Sequence, residues 1–233
     1  MAQQPQPGAV RVDGRKRRWH QHKVDRRNEL VDGTLEAIRS RGRDVSMDEI
    51  AAEIGVSKTV LYRYFVDKND LTTAVMMRFA QTTLIPNMAA ALSTELDGYD
   101  LVREIIRVYV ETVAAEPEIY PFVFANSSAS KSKVIADSER IIAGMLAVMF
   151  RRRMQRAGMN TKGVEPWAYM IVGGVQLATH SWMSHRRMSS DELIDYLTML
   201  SWSALVGIVE VGGSLEQFNS MPHPTPIVPP SSD

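Results

Sequence analysis

Hydrophobic residues recur at intervals of three and four along most of the chain between residues 24 and 211. This spacing places apolar side chains on one face of an α-helix. The pattern typical of hairpin strands, in which apolar and polar residues alternate between Asn-Gly or Asp-Gly turns, is missing. The sequence therefore predicts an all-α protein of about nine helices.

Four helices are predicted in the first part of the chain, and the outer two are the longer ones. The first spans about Val24 to Arg41 and is stopped by Gly42. The fourth begins near Lys68 and runs toward Pro86. Both carry apolar residues at helical spacing, and each is flanked by a residue typical of a helix boundary.

Two short helices lie between them, joined by a turn that contains a glycine. The stretch SMDEIAAEIG begins with Ser46 and has Glu49 three residues later, which is the capping-box pattern. Gly55 can take the left-handed conformation that ends a helix, and Ser57 then begins a second helix over Lys58 to Tyr64. Two short helices joined in this way make a helix-turn-helix, whose second helix enters the DNA major groove. An ordinary helical corner has the same spacing, so spacing alone leaves both interpretations open.

Five further helices are predicted in the longer second part of the chain. They span about Leu101 to Ala115, a short segment from Pro117, about Ile135 to Arg156, Pro166 to about Arg186, and Asp191 to about Val211. A proline in the first turn, as at Pro166, is typical of a helix start because that position needs no N–H donor.

Composition narrows the class of protein. Hydrophobic residues make up 45% of the 233 residues, which is enough for a packed core. The chain has no cysteine, which excludes disulfide scaffolds and cysteine-ligated metal sites. Its start lacks the apolar run of a secretory signal. The longest apolar run, Ile141 to Phe150, is shorter than the roughly 20 residues that a membrane-spanning helix needs. We therefore expect a cytoplasmic protein with no membrane partner.

Charge is unevenly distributed although the net charge is zero. Eight basic residues lie between Arg11 and Arg27, offset by only two acids. Such a block is typical of a solvated flexible tail or of a segment that binds a polyanion, and both interpretations stay open. Residues 1–20 are predicted to form a flexible basic arm. Residues 212–233, which hold five prolines, are predicted to be a disordered tail.

The residues of the two short helices and of the segment after them form a specific sequence motif. The stretch MDEIAAEIGVSKTVLYRYFVDKNDL, Met47 to Leu71, resembles the TetR family of bacterial transcriptional regulators. The shared pattern is an Ile-Ala pair, then Gly-Val-Ser, then Leu-Tyr-x-Tyr-Phe, then Lys and Leu. The resemblance covers about residues 24 to 80. One departure is the pair Thr59-Val60, where many members carry Gly-Thr, and this departure leaves the operator sequence open.

The resemblance implies a domain plan and a function. Residues 21–68 would form the DNA-binding domain, and residues 69–211 would form a helical domain that binds an effector and dimerises. The protein would bind a pseudo-palindromic double-stranded operator as a homodimer and act as a repressor that a small effector releases. An activator is equally compatible with the sequence.

Chemistry assigns roles within this pattern. Leu61 and Phe65, four residues apart, are expected to be core. Ser57 and Lys58 begin a helix, which favours phosphate, and tyrosine hydroxyls and Lys68 can reach the DNA backbone unless the rings are half-buried. The arm can follow phosphates or enter a minor groove. The predicted DNA contacts are Ser46, Met47, Ser57, Lys58, Thr59, Val60, Tyr62, Arg63, Tyr64 and Lys68, with Arg15, Lys16, Arg17 and Arg18 of the arm. Of these, Lys58, Thr59, Val60 and Arg63 are the candidates for reading the base sequence.

The last two predicted helices are apolar on more than one side. Such a helix must be buried on more than one side, which a second copy of the chain would achieve through a four-helix interface. A well-covered internal hairpin is the alternative. The predicted dimer residues are Val175, Ala178, Trp182, Tyr196, Leu200, Ala204 and Gly207.

Aromatic and methionine residues suit a lipophilic effector. The predicted ligand-binding residues are Tyr109, Phe122, Phe124, Met145, Met149, Trp167 and Met170, with Gln176 and His180 as polar contacts. Any single one of these residues is also compatible with an ordinary core position.

An enzyme is the main alternative from another class. His180 and His185 are five residues apart and so lie on different helix faces, which argues against a shared metal ion. The sequence contains no HExxH, no GxSxG and no glycine-rich phosphate loop. We therefore expect no catalysis, no cofactor and no metal. A helical adaptor that binds protein instead of DNA is the remaining alternative.

Overall fold

The computed structural model describes residues 14–96, 98–124 and 129–223, and all regular structure within these ranges is helical. The helices are α1 Gly14–Arg41, α2 Met47–Glu53, α3 Lys58–Tyr64, α4 Lys68–Phe79, α5 Ile85–Leu92, α6 Gly98–Ala114, α7 Ile119–Phe124, α8 Ala129–Arg156, α9 Val164–His185, α10 Ser190–Glu210 and α11 Leu215–Ser220. The nine predicted helices are all present, and the predicted all-α fold is confirmed. The two short helices α5 and α11 are additional.

Helix α1 begins earlier than the sequence predicts. It starts at Gly14 instead of Val24, so residues 14–20 of the predicted flexible arm are helical. Gln21 donates to Asp25 at 2.8 Å, and the Lys23 ammonium lies 5.9 Å from the Trp19 ring centroid. These are one-turn contacts that stabilise a helix without a core. The early turns were missed because they carry no apolar stripe, which is the signal that periodicity detects.

The described part of the C-terminal tail is also more ordered than predicted. Ser214 caps α11 by accepting the Gln217 N–H at 3.2 Å, and the Asn160 N–H donates to the Gly212 carbonyl at 2.9 Å. Gly213 lies so close to the Asn160 carbonyl that a side chain at 213 would overlap it. The prediction of a disordered tail from residue 212 is therefore wrong for residues 212–220. Residues 224–233 lie outside the described ranges.

The described chain forms two compact units. The first contains residues 14–78 and 118–124, and the second contains residues 79–117 and 129–223. The first unit thus ends ten residues after the predicted boundary at residue 68, and it includes α7. Helix α4 belongs to the first unit because Arg78 donates to both carboxylate oxygens of Asp32 on α1, at 2.7 and 2.8 Å.

The core of the first unit is built from the apolar faces of its helices. Its buried residues include Leu30, Val31, Leu35 and Ile38 of α1, Ile50 of α2, Leu61 of α3, Phe65, and Leu71 and Val75 of α4. Helix α7 adds Ile119 and Phe122. The Glu118 carboxylate accepts the Arg43 N–H at 2.9 Å, which ties the start of α7 to the loop before α2.

The second unit is a bundle in which α6, α8, α9 and α10 are the long members. Helix α8 packs chiefly on α9, and α10 packs chiefly on α6. Its buried core includes Val110 and Val113 of α6, Ala143 and Leu146 of α8, Val164 and Ala168 of α9, and Ile194 of α10. Asp195 of α10 accepts from Arg103 of α6 at 2.9 Å, which fixes the pairing of these two helices.

Candidate nucleic-acid interface and effector cavities

The predicted helix-turn-helix is formed by α2 and α3. Ser46 caps α2 through a reciprocal capping box: its hydroxyl accepts the Glu49 N–H at 3.3 Å, and the Glu49 carboxylate accepts the Ser46 N–H at 2.8 Å. The hydrogen bonds from Ser46 hold the pKa of Glu49 below its usual value. Gly55 has a φ of 70° in the turn, a conformation that glycine adopts without strain. Ser57 then caps α3 by accepting the Val60 N–H at 3.4 Å.

Helix α3 has one buried side and one exposed side. Leu61 is fully buried, and Phe65 just after the helix packs beneath the Arg27 guanidinium, 4.6 Å from the ring centroid. Arg27 also donates to Asp70 at 3.0 Å, and Asp70 accepts the Val66 N–H at 3.0 Å. These contacts fix the end of α3 against α1 and α4. The exposed residues on and before α3 are Ser57, Lys58, Thr59, Tyr62 and Arg63.

One cation on this exposed side already has a partner. The Lys58 ammonium donates to the Asp48 carboxylate of α2 at 2.7 Å, and both side chains are exposed. This hydrogen bond raises the pKa of Lys58 above its ordinary value. A DNA phosphate that binds Lys58 must therefore compete with Asp48.

Three cavities with mainly apolar linings occur in the described part of the second unit, beside a polar one of about 360 Å³ that is lined by Glu104, Arg107 and Glu111 among others. A small one of about 30 Å³ is lined by Tyr109 and Val175 among other apolar residues. A second cavity of about 330 Å³ lies between α6, α8, α9 and α10, and Arg153 is the one charged residue in its lining. A third cavity of about 560 Å³ is lined by the start of α9, the end of α10 and α11. The volumes of the two larger apolar cavities fall in the range typical of small-molecule sites.

Helices α9 and α10 also present an exposed apolar face. Trp182 is buried between them and donates its indole N–H to the Met188 carbonyl at 2.8 Å. The exposed side is lined by Leu177 of α9 and by Tyr196, Met199 and Leu200 of α10. Added side-chain carbons at Gly173, Gly174 and Gly207 would meet nothing within 4 Å. An exposed apolar surface of this kind is typical of a protein interface.

Comparison with known proteins identifies the family. Residues 30–75 match the family of bacterial regulatory proteins named tetR, and residues 87–214 match the tetracyclin repressor-like C-terminal domain. The chain belongs to the TetR family. An uncharacterized HTH-type transcriptional regulator of Mycobacterium tuberculosis is 82% identical over 229 residues, which cover 98% of each chain. These matches confirm the resemblance of Met47–Leu71 and extend it to the second unit.

More distant transcriptional regulators are similar over most of the chain. The HTH-type transcriptional activator FasR of Mycolicibacterium smegmatis is 25% identical over 201 residues, covering 85% of this chain and 91% of FasR. A TetR-family regulator of Mesorhizobium loti shares the fold with a TM-score of 0.63 at 20% identity, covering 80% of this chain and 97% of that one. FadR of Bacillus subtilis, solved in complex with stearoyl-CoA, has a TM-score of 0.60 at 17% identity, covering 75% and 97%.

The structure changes two of the predicted DNA contacts. Met47 is only 6% exposed and packs in the core of the first unit, so its side chain is not part of the exposed side of the helix-turn-helix. Lys68 donates to the Val45 carbonyl at 2.8 Å and lies 5.6 Å from the Phe122 ring centroid. It therefore joins α4 to the start of α2 and is not an exposed phosphate contact. Val60 and Tyr64 are half-buried. The hydroxyl of Ser46 is occupied in the capping box.

The basic arm is only partly described. Arg18 is exposed on the first turns of α1, whereas residues 1–13 and the side chains of Arg15, Lys16 and Arg17 lie outside the described part of the chain. Two other arginines of the basic block have partners within the first unit: Arg26 pairs with Glu29 at 2.7 Å, and Arg27 pairs with Asp70. The block is therefore only in part available to a polyanion.

Few of the predicted effector residues line the two larger apolar cavities. Met149 and Trp167 line the 330 Å³ cavity, and Tyr109 lines the small one. Phe122 lies under Lys68 in the first unit, and Phe124 is on the same helix with its side chain undescribed. Met170 is exposed at the surface. Met145, Gln176 and His180 are half-buried but line none of the three cavities.

The predicted dimer residues differ in their exposure to solvent. Tyr196 and Leu200 are exposed, and Ala178, Ala204 and Gly207 are half-buried. Val175 and Trp182 are buried within their own chain, so these two predictions are wrong for the exposed face. Leu177 and Met199 were missed, because periodicity shows that a helix has two apolar faces without showing which one its own chain covers.

Arg153 was missed as a cavity residue. It lies three residues after Phe150 and one before Met154, and the spacing of these two apolar residues places it on the same helix face. The run of arginines at residues 151–153 made each of them resemble a solvated surface charge. The spacing of Phe150 and Met154 was therefore the signal that could have identified Arg153 as a cavity residue.

Removing the acid beside Lys58 should tighten DNA binding. We expect Asp48→Asn to increase affinity roughly two- to fivefold, because an exposed ion pair of modest strength no longer competes with phosphate. Fluorescence anisotropy with a labelled DNA duplex measures the change. Glu36→Gln is the matched control, since it removes an exposed acid that pairs with Arg39 on α1. Equal effects of the two variants would show that net charge, and not the release of Lys58, is responsible.

Proposed function

We propose that this TetR-family protein is a cytoplasmic homodimeric repressor that binds a pseudo-palindromic operator and is released by a lipophilic effector. The observation that carries the proposal is the exposed side of α3, where Ser57, Lys58, Thr59, Tyr62 and Arg63 stand opposite the buried Leu61. Hydroxyls and cations of this kind contact phosphates, and a side chain on a recognition helix can read base edges. Arg15 to Arg18 extend the proposed contacts along the backbone.

The proposed dimer uses the exposed face of α9 and α10. Leu177 and Leu200 are each 70% exposed, and Gly173 and Gly174 near Leu177 leave space for the close approach of another helix. Helix α10 is also long and apolar enough to cross a membrane by length and composition. Another side of α10, however, carries the buried residues Ile194, Thr198 and Ser201 and packs chiefly on α6 within its own unit. A second copy is therefore the occupant that the packing favours.

The proposed effector site is the 330 Å³ cavity. Its lining is apolar except for Arg153, whose guanidinium donates to the Leu96 carbonyl at 2.9 Å. An apolar cavity with a single cation favours an amphiphile with an acidic end. The complex of Bacillus subtilis FadR with stearoyl-CoA gives the chemistry a precedent within the same fold. We propose a long-chain acyl compound as the effector of this protein.

Enrichment of genomic fragments bound by the purified protein, followed by sequencing, tests the regulator proposal. We expect a small set of fragments that share an inverted repeat and that are released when stearoyl-CoA is added. The relative FasR is named an activator, so the direction of control needs its own measurement. Increased transcription of the enriched genes in a deletion strain would support repression, and decreased transcription would support activation. Binding without sequence preference would leave the adaptor alternative.

The same enrichment tests the residues that read the operator. Thr59 is exposed and Val60 is half-buried at the start of α3. We expect Thr59→Gly and Val60→Thr to change which fragments are enriched, because a methyl or hydroxyl at a base edge discriminates between bases. Overall affinity for bulk DNA should change little. A uniform loss on every fragment would show that the two residues only position α3 on the backbone.

A further inference from the structure

The two larger apolar cavities of the second unit, of about 330 and 560 Å³, share part of their lining. Trp167 and Ile208 line both the 330 Å³ cavity and the 560 Å³ cavity, and no other residue does so. Trp167 is in the first turn of α9 and Ile208 is in the last turns of α10. The indole is the larger of the two side chains. Trp167 therefore borders both spaces.

The position of the Trp167 indole depends on the absence of a side chain at Gly163. Trp167 lies against Gly163, the residue that precedes α9, and the backbone N–H of Trp167 donates to the Gly163 carbonyl at 3.1 Å. A Cβ atom at residue 163 would overlap the six-membered ring of the indole. Glycine at this position thus allows the ring to lie flat across the start of the helix. Trp167 is half-buried, so part of the ring borders open space.

The two spaces differ in lining. The 330 Å³ cavity is bounded by Met149, Phe150 and Trp202, with Arg153 as its charged residue. The 560 Å³ cavity is bounded by Leu215 and Phe218 of α11, with Asn160 and Lys162 as polar residues. Both have enough apolar surface to hold a hydrocarbon chain, but only the first is largely free of polar groups.

We infer that Trp167 is a partition that sets the length of the apolar chain that the protein accepts. This inference rests on the proposed effector site. A short chain is accommodated in the 330 Å³ cavity with the indole in place. A longer chain must displace the indole and extend into the 560 Å³ cavity. Displacing a ring that packs against Gly163 costs free energy. This cost weakens the binding of long chains and leaves the binding of short chains unchanged.

Isothermal titration calorimetry of the dimer with octanoyl-CoA and stearoyl-CoA tests the partition. Trp167→Ala should strengthen stearoyl-CoA binding relative to octanoyl-CoA by roughly tenfold or more, because each additional buried methylene favours binding about fourfold. Trp167→Phe keeps a smaller ring and should give an intermediate ratio. Trp19→Ala is the matched control, since it removes an exposed tryptophan of the first unit that lines none of the three cavities.

Several outcomes would overturn the inference. Equal weakening of both ligands in Trp167→Ala and Trp167→Phe would show that the indole is only a wall of the site. An unchanged ratio in a variant with wild-type thermal stability would do the same. If stearoyl-CoA binds with the expected ratios but does not release DNA, the partition stands and the proposed effector role fails. If neither ligand binds any variant, both proposals are overturned.

Discussion

Replacing Leu200 by glutamate should leave the protein monomeric and weaken operator binding by roughly a hundredfold or more, because two linked DNA-binding units gain that much from binding together. Leu200 is 70% exposed in the isolated chain, at the centre of the apolar face of α9 and α10. Glutamate is accepted there in a monomer. In a dimer it would place two unpaired carboxylates in an apolar interface, where burial of a charge is strongly unfavourable.

The oligomeric state is measured by mass photometry, and operator affinity by fluorescence anisotropy at the same protein concentration. Val148→Glu is the matched control, because Val148 is 46% exposed but lies on α8, outside the proposed interface. It should leave both the dimer and the DNA affinity unchanged. A Leu200→Glu protein that remains dimeric would show that another surface joins the two copies.

Truncating Phe65 to alanine should destabilise the first unit by about 3 to 5 kcal/mol, the usual cost of removing a buried phenylalanine side chain. Phe65 is 1% exposed and supports the Arg27 guanidinium, which in turn pairs with Asp70. Loss of the ring therefore removes both core packing and the ring contact of the Arg27 guanidinium. Operator binding should fall because α3 is no longer held in place.

Thermal unfolding followed by circular dichroism measures the effect. Val66→Ala is the control, because Val66 is the next residue in the chain and is 84% exposed. It should change the free energy of unfolding by no more than about 0.5 kcal/mol, as expected for a surface substitution. Similar shifts in the two variants would contradict the assignment of Phe65 as the residue that anchors α3.

The DNA-binding helices were predictable because their signals are local. Ser46 and Glu49 specify the start of α2, and Gly55 and Ser57 specify the turn and the next helix start within three residues of one another. Capping and turn chemistry act over one helical turn, so a single sequence contains the whole cause. The early start of α1 was not predictable in this way, because the sequence of its first turns carries no apolar stripe.

Long-range packing accounts for the wrong predictions. Lys68 is a surface residue by its position on a short exposed segment, yet its ammonium reaches the carbonyl of Val45, 23 residues earlier. Phe122 has the composition of a pocket residue, but the chain returns to the first unit at α7. Trp182 and Leu177 lie on opposite sides of α9, and only the packed bundle shows which side stays open.

The participation of α7 in the first unit has a consequence for how the protein is made. Residues 118–124 complete a unit whose other members end at residue 78, and Glu118 bonds to Arg43 across 75 residues of sequence. Domains generally fold during synthesis from the N-terminal end. The DNA-binding unit cannot reach its final packing until the ribosome has also made α5 and α6. A gene chimera that exchanges only residues 14–78 between relatives would therefore combine α3 of one protein with α7 of another. The unit that contains α3 depends on α7.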